Sequence, residues 1–196
     1  MTFRIDPRLP LTGEIKRILA EEIGKALRHL TIAHDRPERA LHKCRKRLKN
    51  VRALLRLVRS GDETFFTAEN QRYREVAALL AGPREATALI ETIDRLAADF
   101  PERSADGGLS AVRIRLVERQ QAMHEGEDLG TTIEAAIKAC RQGMEKVEGL
   151  ILPDQPEQAA DVLADGARAT LRRARKALER AGTNGEAMDF HDLRKA

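Results

Sequence analysis

Basic side chains recur at helical spacing in the second quarter of the sequence, and together they could bind an anion. The steps between them are 3, 4, 3, 4 and 3 residues, which places them along one face of an α-helix. An apolar stripe with the same steps runs one residue earlier and predicts a buried helix with cations at the edge of the core. The basic stripe is His42, Arg45, Lys49, Arg52, Arg56 and Arg59. The apolar stripe is Leu41, Cys44, Leu48, Val51, Leu55 and Val58.

No acidic residue occurs between His42 and Arg59, although that segment contains eight Lys or Arg. Seven like-charge pairs fall at i,i+3 or i,i+4 between Lys43 and Arg59. Such pairs together oppose helix formation by about 1.5–3.5 kcal/mol at low salt. Interleaved Glu residues would avoid this repulsion in a purely structural helix. The pattern therefore favours a bound polyanion over a solvated helix face, which is the alternative interpretation.

A second basic segment, residues 168–176, contains five Lys or Arg and no acid. If its helix packs beside the first one, the two basic edges converge in a groove whose guanidinium groups can bind phosphate oxygens. The apolar face predicted for this second helix is Leu163, Ala167, Leu171, Ala174 and Leu178. The cations predicted to lie alongside that face are Arg168, Arg172 and Arg175, with Arg173, Lys176 and Arg180 beyond them.

Composition predicts an all-α protein. The 196 residues are 42% hydrophobic, 34% charged and only 3% aromatic, which suits helices better than strands. The sequence contains no apolar run long enough to span a membrane and no signal peptide at its beginning. Two cysteines do not make a disulfide framework, so we expect a cytoplasmic protein.

Proline, glycine and capping residues divide the sequence into helices joined by short connections, which is typical of an antiparallel bundle. Asp35 is the predicted N-cap of the second helix, and Gly82-Pro83 is predicted to end the third. Thr131 and Glu134 are predicted to cap the sixth. The predicted helices cover residues 12–33, 35–60, 63–81, 84–98, 109–125, 131–149 and 156–181, with a last helix begun in 186–196 and a loop over 100–108.

Four segments, taken in order, resemble the CHAD domain. Residues 42–52 (HKCRKRLKNVR) resemble the H-x-x-R-x-x-x-K/R-x-x-R helix of that family, with Asn50 in place of a frequent basic residue. Residues 80–85 resemble its L-G-x-x-R-D turn, and residues 165–178 resemble the basic helix that closes its first repeat. Residues 190–195 (FHDLRK) resemble the start of its second repeat. The resemblance implies a complete first repeat over 1–182 and a linker with the start of a second repeat over 183–196.

The resemblance also implies a basic groove that binds inorganic polyphosphate, in a protein associated with polyphosphate granules. The implied groove residues of the first repeat are His42, Arg45, Lys46, Lys49, Arg52, Arg84, Arg168, Arg172 and Lys176. The second repeat would add His191, Arg194 and Lys195, and helical spacing adds Arg56 and Arg175. Because the sequence ends at the start of that repeat, the opposite wall of the groove is expected either to be absent or to come from a second copy, and we expect a tendency to form a homodimer.

The sequence does not indicate an enzyme, a cofactor or a metal site. No nucleophile motif, phosphate-binding loop or dinucleotide fingerprint is found, and no acid within the basic stripe could hold a metal for phosphate hydrolysis. The alternative function is the binding of nucleic acid or of polyanions in general. Against nucleic acid, the basic segments contain no aromatic residue on which bases could stack.

Overall fold

A computed structural model describes residues 3–33, 37–101, 107–125 and 127–195, without the side chains of 82–87, 123–128 and 195. Within these ranges the chain forms eight α-helices and no strand. The predicted all-α fold class is therefore confirmed. The helices are α1 (Leu11–Thr31), α2 (Pro37–Leu57), α3 (Glu63–Leu79), α4 (Ala81–Asp99), α5 (Gly108–Glu125), α6 (Glu127–Val147), α7 (Pro156–Asn184) and α8 (Ala187–Lys195), with a 3-10 turn at Arg59–Gly61 between α2 and α3.

The core lies between α1, α2, α3 and α6, because α1 and α3 each pack against both α2 and α6. All six residues of the predicted apolar stripe of α2 are buried. They contact the apolar face of α1, which includes Ile15, Leu19 and Ile23, and they share the core with Tyr73 of α3. The core thus fixes the rotation of α2 about its own axis, and with it the direction in which the neighbouring cations point.

The other helices are attached to this bundle at its edges. Helices α4 and α5 pack on each other, whereas α7 packs against α2 and the 3-10 turn, and α8 packs against α7. The segment before α7 is fastened to the start of α1, because the Thr12 hydroxyl donates to the Leu152 carbonyl at 2.9 Å and the Thr12 amide donates to Asp154 at 2.9 Å. None of the described helices is long and apolar enough to cross a lipid bilayer.

Three predicted helix boundaries are wrong. Gly82 and Pro83 lie in the first turn of α4, where proline is tolerated because it has no amide to donate. Thr131 and Glu134 lie inside α6, which begins at Glu127. Helix α7 continues through Gly182 and ends before Gly185, whose φ of 68° is left-handed. The predicted Asp35 cap and most of the predicted loop at 100–108 lie outside the described residues.

Candidate functional site

Cations from three helices line one groove of about 800 Å³. Helix α2 contributes four of them, and α7 and α8 contribute one each. None of the described residues that line the groove is acidic or aromatic. The lining consists of Arg45, Lys49, Arg52 and Arg56 of α2, Arg173 of α7 and Arg194 of α8, together with Asn50 and Ala53.

The arginines of α2 are held at the edge of the core by neutral acceptors on α3. Arg52 donates from Nε to the Asn70 side-chain oxygen at 3.1 Å. Arg45 donates from Nη1 to the backbone carbonyl of Ala77. Both side chains are half-buried, so their apolar stems pack while the charged groups stay at the surface. Because the Asn70 oxygen carries no net charge, it orients the Arg52 guanidinium group without neutralising it.

The groove concentrates positive charge. Burial lowers the pKa of Arg52, and the nearby charges of Arg74 and Arg173 lower it further. Burial also lowers the pKa of Arg56, with added repulsion from Arg173 and Arg52. Both shifts mean that the surroundings disfavour the charged form. A bound anion would relieve this repulsion, because it would supply the opposite charge at close range.

Carboxylates pair with cations of α2, and of the turn that follows it, that lie outside the groove lining. In the described part of the chain, the ion pairs of this helix and the turn that follows it are Arg47 with Glu22, at 3.3 Å, and Arg59 with Glu63. Arg59 also lies 5.0 Å from the centre of the Phe66 ring. Arg59, although it belongs to the predicted basic stripe, is therefore engaged with α3 at the end of the row.

The Glu22 cluster joins α1 to α2 and borders the groove at Asn50, which lines the groove and donates to Glu22. Glu22 is only 2% exposed, and it accepts hydrogen bonds from Lys25 at 2.8 Å and from Asn50 at 2.7 Å. Arg47 approaches the same carboxylate. Burial raises the pKa of Glu22, but the hydrogen bonds of Lys25 and Asn50 and the charge of Arg47 outweigh it and leave the pKa below its usual value.

Helix α7 reaches the groove because Gly166 has no side chain. A Cβ at this position would lie 1.9 Å from the backbone oxygen of Leu57 at the end of α2. The predicted apolar face of α7 is therefore partly wrong, since Leu171 is 51% exposed and Leu178 is 59% exposed. Gly166 allows the close approach, and Val162 and Leu163 pack against the core at the beginning of α7, whereas Leu171 and Leu178 do not. The buried residues of α7 are Val162, Gly166, Ala177 and Ala181.

This packing decides which of the predicted groove residues come together. Arg45, Lys49, Arg52, Arg56 and Arg194 lie in one groove. The remaining predicted residues on described side chains are not among its lining: His42 and Lys46 are exposed on α2, His191 is half-buried on α8, and Arg168, Arg172, Arg175 and Lys176 are exposed on α7. The side chains of Arg84 and Lys195 lie outside the described residues.

The sequence pattern did not predict two arginines that lie in or near the groove. Arg173 lines the groove, and Arg74 of α3 is close enough to affect the pKa of Arg52. A signal for Arg173 was present in Gly166, because glycine inside a helix lowers stability by about 1 kcal/mol and indicates close packing. Arg173 lies seven residues, or two turns, beyond Gly166 and so on the same face of α7.

The two cysteines are unsuited to act as nucleophiles. Cys44 and Cys140 are both buried and unpaired. Burial raises the pKa of each thiol to about 12, so the reactive thiolate is not formed near neutral pH. The described residues also contain no group of three or more His, Cys, Asp or Glu side chains arranged to hold a metal ion.

A helical bundle with cations gathered in one groove belongs to the class of all-α domains that present a concentrated positive surface. The family model of the CHAD domain matches residues 17–196 of the chain. The protein therefore belongs to the CHAD domain family, which is associated with polyphosphate binding. Comparison of the chain with curated proteins and with solved structures found no match.

Proposed function

We propose that this protein binds inorganic polyphosphate, without catalysing a reaction, in the groove between α2, α7 and α8. The observation that carries the proposal is the composition of the groove. Six Lys or Arg from three helices share one concave space of about 800 Å³, and no acid is among the described lining residues. Membership in the CHAD domain family supports polyphosphate as the anion.

The row of cations on α2 suits a linear chain of phosphates. At 1.5 Å per residue, the helix advances about 16 Å between Arg45 and Arg56. Successive phosphates can therefore contact successive cations along the row. Arg173 and Arg194 add charge from two other helices, so the anion is held from more than one direction. Binding also releases the counter-ions condensed on the polyanion, which favours association at low salt.

The lining favours polyphosphate over nucleic acid. Proteins that bind single strands commonly stack bases on aromatic side chains, and the described lining offers none. Catalysis has no support from the same residues. Cleavage of a phosphoanhydride needs an activated nucleophile or carboxylates that can hold a metal, and neither is present in the described lining.

Titration calorimetry with polyphosphates of defined length at two salt concentrations tests the proposal. We expect binding that weakens steeply as the salt concentration rises. In competition experiments with equal phosphate concentration, long-chain polyphosphate should displace single-stranded RNA and duplex DNA. Equal affinity for all three would reduce the function to general polyanion binding. Phosphate release from polyphosphate during incubation would contradict a non-catalytic role.

Charge reversal within the groove provides the matched test by mutation. Arg56→Glu replaces a half-buried lining cation, whereas Arg141→Glu makes the same charge change on the exposed side of α6, which does not line the groove. We expect Arg56→Glu to weaken polyphosphate binding at least tenfold more than Arg141→Glu. Equal losses would mean that net charge alone governs binding, and the groove would not be the site.

A further inference from the structure

A second cavity, of about 350 Å³, lies between the N-terminal segment, α1, α2 and α7. Its walls include Ile5, Ile18, Leu54 and Leu57. Ile18 and Leu54 are 2% and 3% exposed and belong to the core, while Ile5 and Leu57 pack against it. This volume is within the range of pockets that bind small molecules. We call it the apolar cavity. Because its aliphatic side chains belong to the core or pack against it, this wall is largely preformed for an apolar ligand.

Three arginines accompany this aliphatic wall. Arg4 comes from the N-terminal segment, Arg56 from α2 and Arg173 from α7. No acidic residue is found among the described residues that line the cavity. The charge of Arg173 and burial both disfavour the charged form of Arg56. An occupant that carries an anionic group would compensate this charge, whereas a neutral apolar molecule would not.

The apolar cavity adjoins the basic groove, because Ala53, Arg56 and Arg173 line both. The rest of the lining differs in character, since aliphatic side chains replace the additional cations of the groove. A bare chain of phosphates would leave these aliphatic side chains without a contact. A nucleobase could stack on Phe3, which also lines the cavity, but it would need several hydrogen-bonding partners at its edges. Besides the arginines, Thr170 is the one polar side chain in the described lining.

We propose that the apolar cavity binds a small amphiphile that has an unbranched aliphatic chain and an anionic head group. The chain would contact Ile5, Ile18, Leu54 and Leu57, and the head group, a carboxylate or a phosphate, would bind Arg4, Arg56 and Arg173. The apolar cavity would thus bind a different class of ligand, an amphiphile, from the polyphosphate proposed for the groove. Because two arginines are shared, each ligand should weaken the binding of the other by the same factor.

Calorimetry with octanoate, decanoate and decyl phosphate, each below its aggregation concentration, tests the ligand class. Each buried methylene should raise the affinity by about fourfold, so decanoate should bind more tightly than octanoate. Comparison of decanoate with decyl phosphate identifies the preferred head group. Decanol and acetate are the controls, and each should bind at least tenfold more weakly than decanoate. If decanol binds as tightly as decanoate, or if chain length has no effect, the proposal is overturned.

Three variants locate the binding. Thr170→Phe fills the cavity from an exposed position on α7, and Ala169→Phe adds the same ring at the adjacent exposed position outside the lining. We expect Thr170→Phe to weaken decanoate binding at least tenfold, with Ala169→Phe within twofold of the wild type. Arg4→Gln should weaken decanoate binding but not polyphosphate binding, because Arg4 does not line the groove. Equal effects of Thr170→Phe and Ala169→Phe would overturn the assignment.

The two ligands are then tested against each other. Saturating polyphosphate should weaken decanoate binding several-fold, and Arg173→Gln should weaken both. If polyphosphate does not bind at all but decanoate binds and responds to Thr170→Phe, the proposed function fails while this inference stands. If decanoate binding is independent of Arg4, Arg56 and Arg173, the head-group assignment is wrong.

Discussion

The two flanks of α2, which meet at Asn50, differ in how their positive charges are compensated. On one flank, the buried Glu22 accepts hydrogen bonds from Lys25 and Asn50 and pairs with Arg47, so the polar groups satisfy one another within the chain. On the other flank, Arg52 and Arg56 are half-buried and repel each other and Arg173. This difference distinguishes cations that help to hold the helices together from cations that could bind a ligand. Arg47 has a buried carboxylate partner in Glu22, whereas burial and neighbouring cations disfavour the charge of Arg52 and Arg56, and an anion would compensate that charge.

A carboxylate placed in the groove would give its cations a partner within the chain, as Glu22 does on the other flank. We expect this change to have the largest effect on polyphosphate affinity. Ala53 is exposed and lines the groove between Lys49 and Arg56. In Ala53→Glu the new carboxylate can pair with both cations, at i−4 and i+3. We expect polyphosphate affinity to fall about 100-fold, or about 2.7 kcal/mol, while the melting temperature rises by a few degrees.

Ala53→Gln is the control for Ala53→Glu, because it has the same size without the charge. It should change affinity by less than about fivefold. Calorimetry and thermal unfolding of the two variants measure both quantities. A loss of affinity accompanied by an equal loss of stability in both variants would mean that packing, and not charge, explains the effect.

Neutralising Glu22 should affect the other flank. In Glu22→Gln, the cations of Lys25 and Arg47 lose their buried partner, and breaking such a pair is strongly unfavourable. Because those cations are partly exposed, we expect the free energy of unfolding to fall by about 2 kcal/mol, below the range for fully buried pairs. Polyphosphate affinity of the folded protein should stay within about threefold of the wild type. Urea denaturation and calorimetry measure the two effects.

Two arginines on α7 allow the effects of a groove cation and of an ion-paired surface cation on polyphosphate binding to be compared directly. Arg173 lines the groove, whereas Arg168 is exposed and pairs with Asp165 at 3.1 Å. Arg173→Gln should weaken polyphosphate binding about tenfold, as expected for the loss of one charged contact. Arg168→Gln should change it by less than about twofold. If the order of the two effects is reversed, α7 must present a different face to the anion.

The smallest expected effect is a dependence of stability on acid pH. The pKa of Glu22 is lowered as described, and the pKa of Glu14 is lowered by hydrogen bonds from Arg17 and from the Asp6 amide. A lowered folded-state pKa contributes stability that is present above the unfolded value of about 4.5 and is lost as the pH falls through the folded value. Thermal unfolding between pH 6 and pH 3 should show this loss.

Glu22→Gln should lose less stability between those pH values than the wild type, because it has one fewer carboxylate to protonate. Arg168→Gln, which leaves both buried carboxylates in place, should follow the wild-type curve. An identical pH profile for Glu22→Gln and the wild type would contradict a lowered pKa at Glu22.

The sequence placed Arg45, Lys49, Arg52 and Arg56 on one face of α2 because two stripes of opposite character follow one helical period. Burial of Leu41, Leu48 and Leu55 leaves the neighbouring cations only one direction in which to point. That argument uses helix geometry alone and needs no knowledge of the tertiary contacts. The all-α fold and the CHAD family were predicted for related reasons, since composition and motif order are properties of the sequence itself.

The α7 half of the site could not be predicted in the same way. Leucine was taken to define the buried face, but Gly166 makes the close contact with the end of α2, and Leu171 and Leu178 are exposed. Which face of α7 packs depends on how closely the Leu57 backbone can approach, and that is a tertiary property. The start of α6 was misplaced because Thr131 and Glu134 match a capping pattern that the longer helix overrides.

The contact between Gly166 and the Leu57 carbonyl has a consequence for selectivity. Because no Cβ separates the two helices there, main-chain packing sets the spacing between the backbones from which Arg56 and Arg173 extend. Anions with the same total charge but different thickness would therefore be accommodated unequally. Discrimination would then be a matter of shape, and it would persist at salt concentrations that screen long-range attraction.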